Sequence, residues 1–311
     1  MNRIETHVHS LSPLYVILLN WNSPEDTIAC VDSVIRSTGC GLRILVVDNG
    51  STDDSREQFA RHLGNRVEIL ESKENLGFAG GINLGVGRAL AAGAQSILIL
   101  NNDTIIDKAM IRHLIRTVAD HPTAGIVGPV IRHYDDPGRI WRIGDREYRF
   151  LPMPLRLSES ALSRAGGEPF AVDYVTGCGM LVRSRVFETI GLFDTDHFMY
   201  FEDADFCRRA RQAGFGIWLD PKAEMWHKVS LSASQQKPAM RYAEAWGRAQ
   251  FYRKHPHGCL PAFTLLYLVT QSATRTVQAL FTRDWNLIKP QLMGFLDGYR
   301  NRPSRMSEFL R

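Results

Sequence analysis

Several acidic and amide side chains stand where apolar runs of this chain break off. Asp103 closes the run Ser96-Ile97-Leu98-Ile99-Leu100-Asn101-Asn102-Asp103. An acid at the carboxyl edge of a sheet lies where open α/β folds bind ligands. A carboxylate there can hold a divalent cation, and the cation a diphosphate. Asn101-Asn102-Asp103 has only one carboxylate, so the cation needs another protein ligand plus substrate oxygens. That suits Mg²⁺ or Mn²⁺. His227, in Glu224-Met225-Trp226-His227-Lys228, is the partner to test, although a lone histidine is more often structural. The plain alternative for Asp103 is a polar strand end that caps the chain from Ile105 onward.

Three further segments carry chemistry-bearing residues. Asp48, in Val46-Val47-Asp48-Asn49-Gly50-Ser51, can accept the imide N–H of a pyrimidine; it can equally cap the following helix. Asn75-Leu76-Gly77-Phe78-Ala79-Gly80-Gly81-Ile82-Asn83 is a glycine-rich turn into a helix whose N–H groups could face an anion. By itself it reads better as a tight turn, and it lacks the Gly-x-Gly-x-x-Gly and Walker patterns. Phe198-Met199-Tyr200-Phe201-Glu202-Asp203-Ala204-Asp205 sets three acids among large apolar residues just before a helix. Glu202 and Asp205 share a helical face and Asp203 points elsewhere. One acid can cap the helix while another acts as a base, and the aromatic flank favours a perturbed carboxylate over capping alone. Arg139, Arg142, Arg146 and Arg149 recur at spacings of three to four and read better as a solvated basic face than as a phosphate site.

The elements that hold these residues alternate. Leu14 to Leu19 is a buried-strand pattern, Thr27 to Ser37 a helix, Arg43 to Val47 a strand and Val67 to Leu70 a shorter one. Asn83 to Ala92 reads as a helix and Ser96 to Leu100 as the strand before Asp103. This order predicts a parallel, doubly wound sheet. Tyr134 to Ala171 has weak periodicity and reads as a long excursion over the active-site face. Regular structure resumes at Val172 to Val175, Met180 to Val182 is a strand, Asp203 to Ala213 a helix, and Gly216 to Leu219 a strand that His227 follows. The last fifty residues read as two or three helices.

The 311 residues suffice for one large α/β domain with an appendage, and the 44% hydrophobic and 23% charged content is ordinary for a folded protein. Five scattered cysteines without a Cys-x-x-Cys pair argue against a zinc site or disulfide framework and fit a reducing cytoplasm. The polar first twelve residues do not resemble a secretory signal, and no apolar run is long enough to span a bilayer. Between Thr270 and Arg311 stand seven basic and three acidic residues, which accounts for the whole net charge of +4. The basic pI is therefore a property of the tail and no argument for nucleic-acid binding.

In this order the blocks around Asp48, Asn75–Gly81, Leu100–Asp103, and Gly191–Asp194 leading to Tyr200–Asp205 resemble the inverting glycosyltransferases of family 2, from about Leu14 to Ser232. The nearest subgroup is rhamnosyltransferase-like, from bacterial surface-polysaccharide assembly. The resemblance implies a GT-A fold: a Rossmann-like, mostly parallel sheet flanked by helices, with a helical C-terminal extension. It puts the transferase domain at 1–255 (donor half about 12–130, acceptor half about 131–255) and the extension at 256–311. It implies a donor pocket of Asn20, Asp48, Asn75, Gly77, Asn83 and Asn102, with Asp48 on a pyrimidine base. Asp103 and His227 would hold Mg²⁺ or Mn²⁺, and Asp203 would be the catalytic base with Glu202 beside it. The implied donor is a dTDP- or UDP-sugar, best guess dTDP-rhamnose. The implied acceptor is a glycan or polyprenyl-diphosphate-linked hydroxyl, and the place of action the cytoplasm or the inner face of the plasma membrane.

Two departures stand out: Asn101 for the first acid of an Asp-x-Asp motif, and Ala245-Trp246-Gly247-Arg248 where the subgroup carries an Arg-Asn pair. Gln250-Phe251-Tyr252-Arg253 is followed by Lys254, not the Trp of processive synthases, so one sugar is expected per acceptor. A nucleotidyltransferase would need a basic glycine-rich loop near Leu18, which is absent. A non-catalytic nucleotide-sugar-binding scaffold is the other alternative. Finally, Ile288, Leu292, Phe295, Leu296 and Tyr299 form one helical stripe in the basic tail. It suits either a peripheral membrane contact or packing on the protein or a dimer partner.

Overall fold

A computed structural model of the chain describes residues 13–37, 41–147, 154–229, 237–256 and 261–309. Arg149, Cys40, Cys259 and the first twelve residues, on which some of the expectations above rest, lie outside the described residues. The chain divides into two compact units. The first takes in residues up to Asp145, Arg156–Phe193 and Phe206–Val229. The second takes in Arg146–Leu155, Asp194–Asp205 and the residues from Ser230 on.

The first unit starts with β1 (Leu14–Asn20), α1 (Pro24–Ile35), β2 (Leu42–Asn49), α2 (Ser55–His62), β3 (Glu68–Ser72), α3 (Gly77–Ala91) and β4 (Ser96–Asn101). Strands β3, β2, β1 and β4 lie side by side in that order, all parallel. Alternate residues of these strands enter two separate cores. Ile17, Val47 and Ile99 meet Ile82 and Val86 of α3 on one face. Val16, Val46 and Leu98 meet Val31 and Val34 of α1 and Phe59 of α2 on the other. Burial on both faces is why β1, β2 and β4 read as unbroken apolar runs, not as alternating ones. Each such side chain contributes roughly 1.5–3 kcal/mol.

The helix read from Asn83 begins at Gly77. Gly77 has the positive φ of 72° that a turn glycine supplies, whereas Gly81 and Gly85 are helical residues that allow close packing. A Cβ at Gly85 would lie 2.7 Å from Ile17 Cγ2, and one at Gly81 would overlap Leu19.

Beyond β4 come β5 (Thr104–Ile106), α4 (Met110–Asp120) and β6 (Ala124–His133). The segment read as an excursion holds short elements: β7 (Ile140–Arg142), β8 (Asp145–Glu147), β9 (Pro154–Arg156), α5 (Glu159–Ala165) and β10 (Phe170–Val172). Three-residue strands are too short to show a period, so the pattern could not reveal them. Next follow β11 (Gly179–Arg183), α6 (Ser184–Ile190), α7 (Glu202–Gln212) and β12 (Gly216–His227). β11 inserts antiparallel between β4 and β6, and β6 pairs parallel with β12. His227 is thus the last residue of a 12-residue strand and does not follow a four-residue one. A register shift between Asp220 and Glu224, around Pro221, breaks the alternation that would have revealed its length.

The second unit contains α8 (Lys237–Lys254), α9 (Pro261–Phe281) and α10 (Ile288–Tyr299). Ala239, Tyr242, Ala243 and Trp246 of α8 form its main core with Met306. The Tyr242 hydroxyl donates to the buried Asp297 carboxylate of α10 at 3.1 Å.

Candidate active site

Parallel register brings the polar strand ends to one edge of the first unit. Asn20 lies opposite Asp48, and Leu19 opposite Asn101. Asn20 is fully buried, and its amide is spent on the site itself. Nδ2 donates to Asp48 Oδ1 at 3.2 Å, Ser51 Oγ at 3.0 Å and Ser55 Oγ at 3.1 Å. Oδ1 accepts from Thr27 Oγ1 at 2.8 Å, and Asn102 Nδ2 donates to the same Thr27 oxygen at 3.0 Å. Asn20, Asp48 and Asn102 therefore belong to one network, with Asn20 as its hub and Thr27 as the link to Asn102. The Ser51 hydroxyl also donates to Asp48.

The adjoining loop is held by Asn49. Its amide donates to Asn75 Oδ1 at 3.0 Å and to the Gly77 carbonyl at 3.1 Å, and its oxygen takes the Leu76 N–H at 3.0 Å. Asn75 Oδ1 also accepts the Gly77 N–H at 2.8 Å. Asn83 is engaged at both ends of its amide by the backbone of Phe193, at 2.8 and 3.0 Å.

Asp103 and His227, 124 positions apart, are brought together by the antiparallel pairing of β5 with β12, in which Thr104 faces His227. Both are buried, and His227 Nε2 stands 3.0 Å from Asp103 Oδ1. The ring of Trp141 meets the imidazole edge-on, its centroid 4.5 Å away. Among the described residues no group of three or more His, Cys, Asp or Glu side chains is gathered for a metal. The pair still fits a divalent ion of the Mg²⁺ or Mn²⁺ kind. Such ions take one or two protein ligands and complete an octahedron with water and substrate phosphate oxygens. Two neighbouring ligands at about 2.1 Å from an octahedral ion stand about 3.0 Å apart. The other imidazole nitrogen, Nδ1, is buried with no hydrogen-bond partner in the structure.

The three acids at the start of α7 belong to the second unit and have three different surroundings. Asp205 is buried against His255, with 2.8 Å between its Oδ1 and the imidazole Nε2. Asp203 Oδ1 accepts the N–H of Ala204 at 2.8 Å. Glu202 has a buried Oε2 with no hydrogen-bond partner. Burial first, and the neighbouring Asp203 second, push the Glu202 carboxyl well above the usual range. The two residues before the helix, Tyr200 and Phe201, both have left-handed backbones, with φ of 69° and 71°. Non-glycine residues adopt that region rarely, and at a cost.

The family model for glycosyl transferase family 2 matches residues 15–191, more than half of the chain. The chain belongs to glycosyl transferase family 2. This family 2 chain is 27% identical to the low-salt glycan biosynthesis hexosyltransferase Agl10 of Haloferax volcanii, over 95% of each. It is 23% identical to the dTDP-rhamnosyl transferase RfbF of Shigella flexneri, over 93% of this chain and 96% of that one. Among solved structures, it superposes on the mannosyltransferase PcManGT of Pyrobaculum calidifontis, in complex with GDP-Man and Mn²⁺. The TM-score is 0.61 at 17% identity, covering 93% of this chain and 87% of that one. The fold is GT-A, as the motif order led us to expect.

The sequence reading missed four residues that support the candidate side chains of one unit or the other. Thr27, Ser55 and Asn49 gave no signal, because their importance lies in partners 7 to 35 positions away. Gly247 did give one, a glycine inside a helical pattern. It lets α8 come close to the left-handed segment before Glu202: a Cβ there would lie 2.9 Å from the Tyr200 carbonyl oxygen. The Gln250–Arg253 pair that mimics a processive motif is occupied elsewhere, since both side chains bond Asn301. Arg142 pairs with the buried Asp145 at 2.6 Å instead of offering a free guanidinium to phosphate.

Proposed function

We propose that this chain is an inverting glycosyltransferase that moves one sugar from a pyrimidine nucleotide diphosphate to a hydroxyl of a glycan or lipid-linked acceptor. L-rhamnose from dTDP-rhamnose is the donor to try first, as RfbF is named for it. The observation that carries the reading is the buried Asp103–His227 pair in the unit that also carries the Asn20–Asp48 network. Asp48 accepts the imide N–H of the base, and Asn20 fixes the carboxylate for it through Oδ1. Asn102 is tied to the same network through Thr27 and stands one residue from Asp103.

Asp103 and His227 would hold Mg²⁺ or Mn²⁺, with the imidazole neutral. When bound, the ion neutralises charge on the departing diphosphate. The acceptor hydroxyl gives its proton to Asp203, and its oxygen forms a bond to the anomeric carbon. The bond from that carbon to the diphosphate breaks, and the electron pair leaves with the nucleotide. One base suffices because no sugar–enzyme bond forms. Glu202 stands beside Asp203, its carboxyl pushed well above the usual range by burial first and by Asp203 second.

The test is thermal stability against dTDP, UDP and their sugars, with and without Mn²⁺, since ligands of the native state raise the melting temperature. A nucleotide shift enlarged by Mn²⁺ is expected, and Asp203→Asn should keep that shift while losing transfer. Absence of a shift with every nucleotide would replace this reading with a non-catalytic scaffold. Near-normal transfer by the Asn variant would remove Asp203 as the base.

A further inference from the structure

Helix α9 has an unusual outer face. Arg275 is the sole charged residue among its 21, and it is half-buried and paired with Glu244 at 3.2 Å. The exposed positions carry Phe263, Leu266, Val269, Val277 and Phe281 among uncharged neighbours, over six turns. Water-facing sides of helices are normally charged or polar, and contiguous apolar surface of this extent marks a contact site. The face ends in aromatic residues: Phe281 is 85% exposed and Trp285, in the turn that follows, 63%.

Basic residues stand beside these tips. Arg283 lies between Phe281 and Trp285 and is exposed. Lys289, Leu292, Leu296 and Tyr299 follow on α10 at spacings of three, four and three, all exposed and on one stripe. Phe295, read from sequence as part of that stripe, turns instead into the core with Phe251 and Leu268. Gln291 of α10 donates to Ser272 of α9 at 3.4 Å, so the two helices are tied to each other. The acid nearest the tip, Asp284, accepts from Thr282 at 2.9 Å. No helix among the described residues is long and apolar enough to cross a membrane.

We propose that the outer face of α9, with the turn into α10, docks this chain on the surface of an anionic phospholipid bilayer. Phe281 and Trp285 enter the headgroup boundary, while Arg283 and Lys289 meet lipid phosphates. Aromatic tips flanked by Lys and Arg over an uncharged face are the chemistry of an interfacial helix. A second copy of the chain is the competing occupant, and sedimentation of the free protein tests it. The proposal goes beyond the transfer reading and does not depend on its donor or metal.

The experiment is flotation of the full chain with phosphatidylcholine vesicles, with and without phosphatidylglycerol, at low and high salt. Sedimentation velocity of the free protein runs beside it. The expected result is a monomer that floats with the anionic vesicles at low salt and is released by high salt. Each basic residue near the surface strengthens partition about fivefold, so Arg283→Gln with Lys289→Gln should weaken it about 25-fold. Phe281→Ser with Trp285→Ser should weaken it at least about tenfold. All four side chains are exposed, so both double variants should melt like the parent. No flotation at low salt, equal flotation with neutral vesicles, or indifference to the aromatic pair would overturn the proposal. So would a dimer that Phe281→Ser dissolves, which would assign the face to a second copy. Nucleotide-dependent thermal shifts, measured on the same preparations, report on the transfer reading separately.

Discussion

Replacing Gly247 by alanine adds one methyl group where α8 meets the segment before the acids. The new Cβ would lie 2.9 Å from the Tyr200 carbonyl oxygen, 3.1 Å from Phe201 Cδ2 and 3.3 Å from Phe201 Cβ. Carbon–oxygen contacts of this kind normally stand at about 3.3–3.6 Å, so something must move by several tenths of an ångström. The atom in the way is backbone, in a segment already held at φ of 69° and 71°. Two effects oppose each other. Alanine in a helix interior is favoured over glycine by about 1 kcal/mol. Overpacking a filled site costs about 1–3 kcal/mol. The net expectation is a loss of up to about 2 kcal/mol, read as a lower urea midpoint at unchanged slope.

The effect on turnover should be larger in proportion. Asp203 is two residues beyond Phe201, and a misplacement of about 1 Å at a reacting group costs about 100-fold. A shift of a few tenths should lower kcat about tenfold. The donor KM should stay as it was, because Asn20, Asp48 and Asn102 are held by a separate network. Nucleotide release from the accepted donor, followed at varied donor concentration, gives both constants. A variant about 1 kcal/mol more stable than the parent, with unchanged kcat, would show that the helix does not press on this segment and would refute the reasoning.

Two further outcomes concern Glu202 and His227. Glu202 is pushed up in the folded chain, so the native state binds its proton more tightly than the unfolded state. Its contribution to stability is therefore complete below the ordinary Glu value of about 4.3 and is lost as pH rises through the folded value. Glu202→Gln should match the parent in acid and exceed it at neutral and higher pH, by about 1.4 kcal/mol for each tenfold gain in proton affinity; parallel stability profiles from urea unfolding across the pH range would count against the upward shift of Glu202. His227→Ala should remove the Mn²⁺-dependent part of the nucleotide thermal shift and leave the metal-free part. A tenfold loss of affinity corresponds to about 1.4 kcal/mol of ligand-linked stabilisation, and an undiminished Mn²⁺ response would dismiss His227 as a ligand.

Local composition was enough to place β1, β2 and β4. Strands buried on both faces are continuous apolar runs, and each here stops at an amide or acid: Asn20, Asp48–Asn49, Asn101. Because the three strands run parallel, their polar ends must meet at one edge, so the candidate donor residues were legible together. The acids at Glu202 to Asp205 were legible for a similar reason, as charge among aromatic residues at a helix start. Their separate surroundings were not, because they depend on His255 for Asp205 and on burial for Glu202.

What lay outside the sequence pattern is what depends on partners far along the chain. His227 meets Asp103 only because β12 runs on past the irregularity at Pro221 and pairs with β5. Thr27 and Asn49 matter through hydrogen bonds that no periodicity encodes. The start of α3 was misplaced because glycine reads as a turn signal, whereas here it admits a helix pressed against Ile17 and Leu19. Short-range preference and hydrophobic period are properties of neighbouring residues; side-chain pairing and close approach exist only once distant segments share a surface.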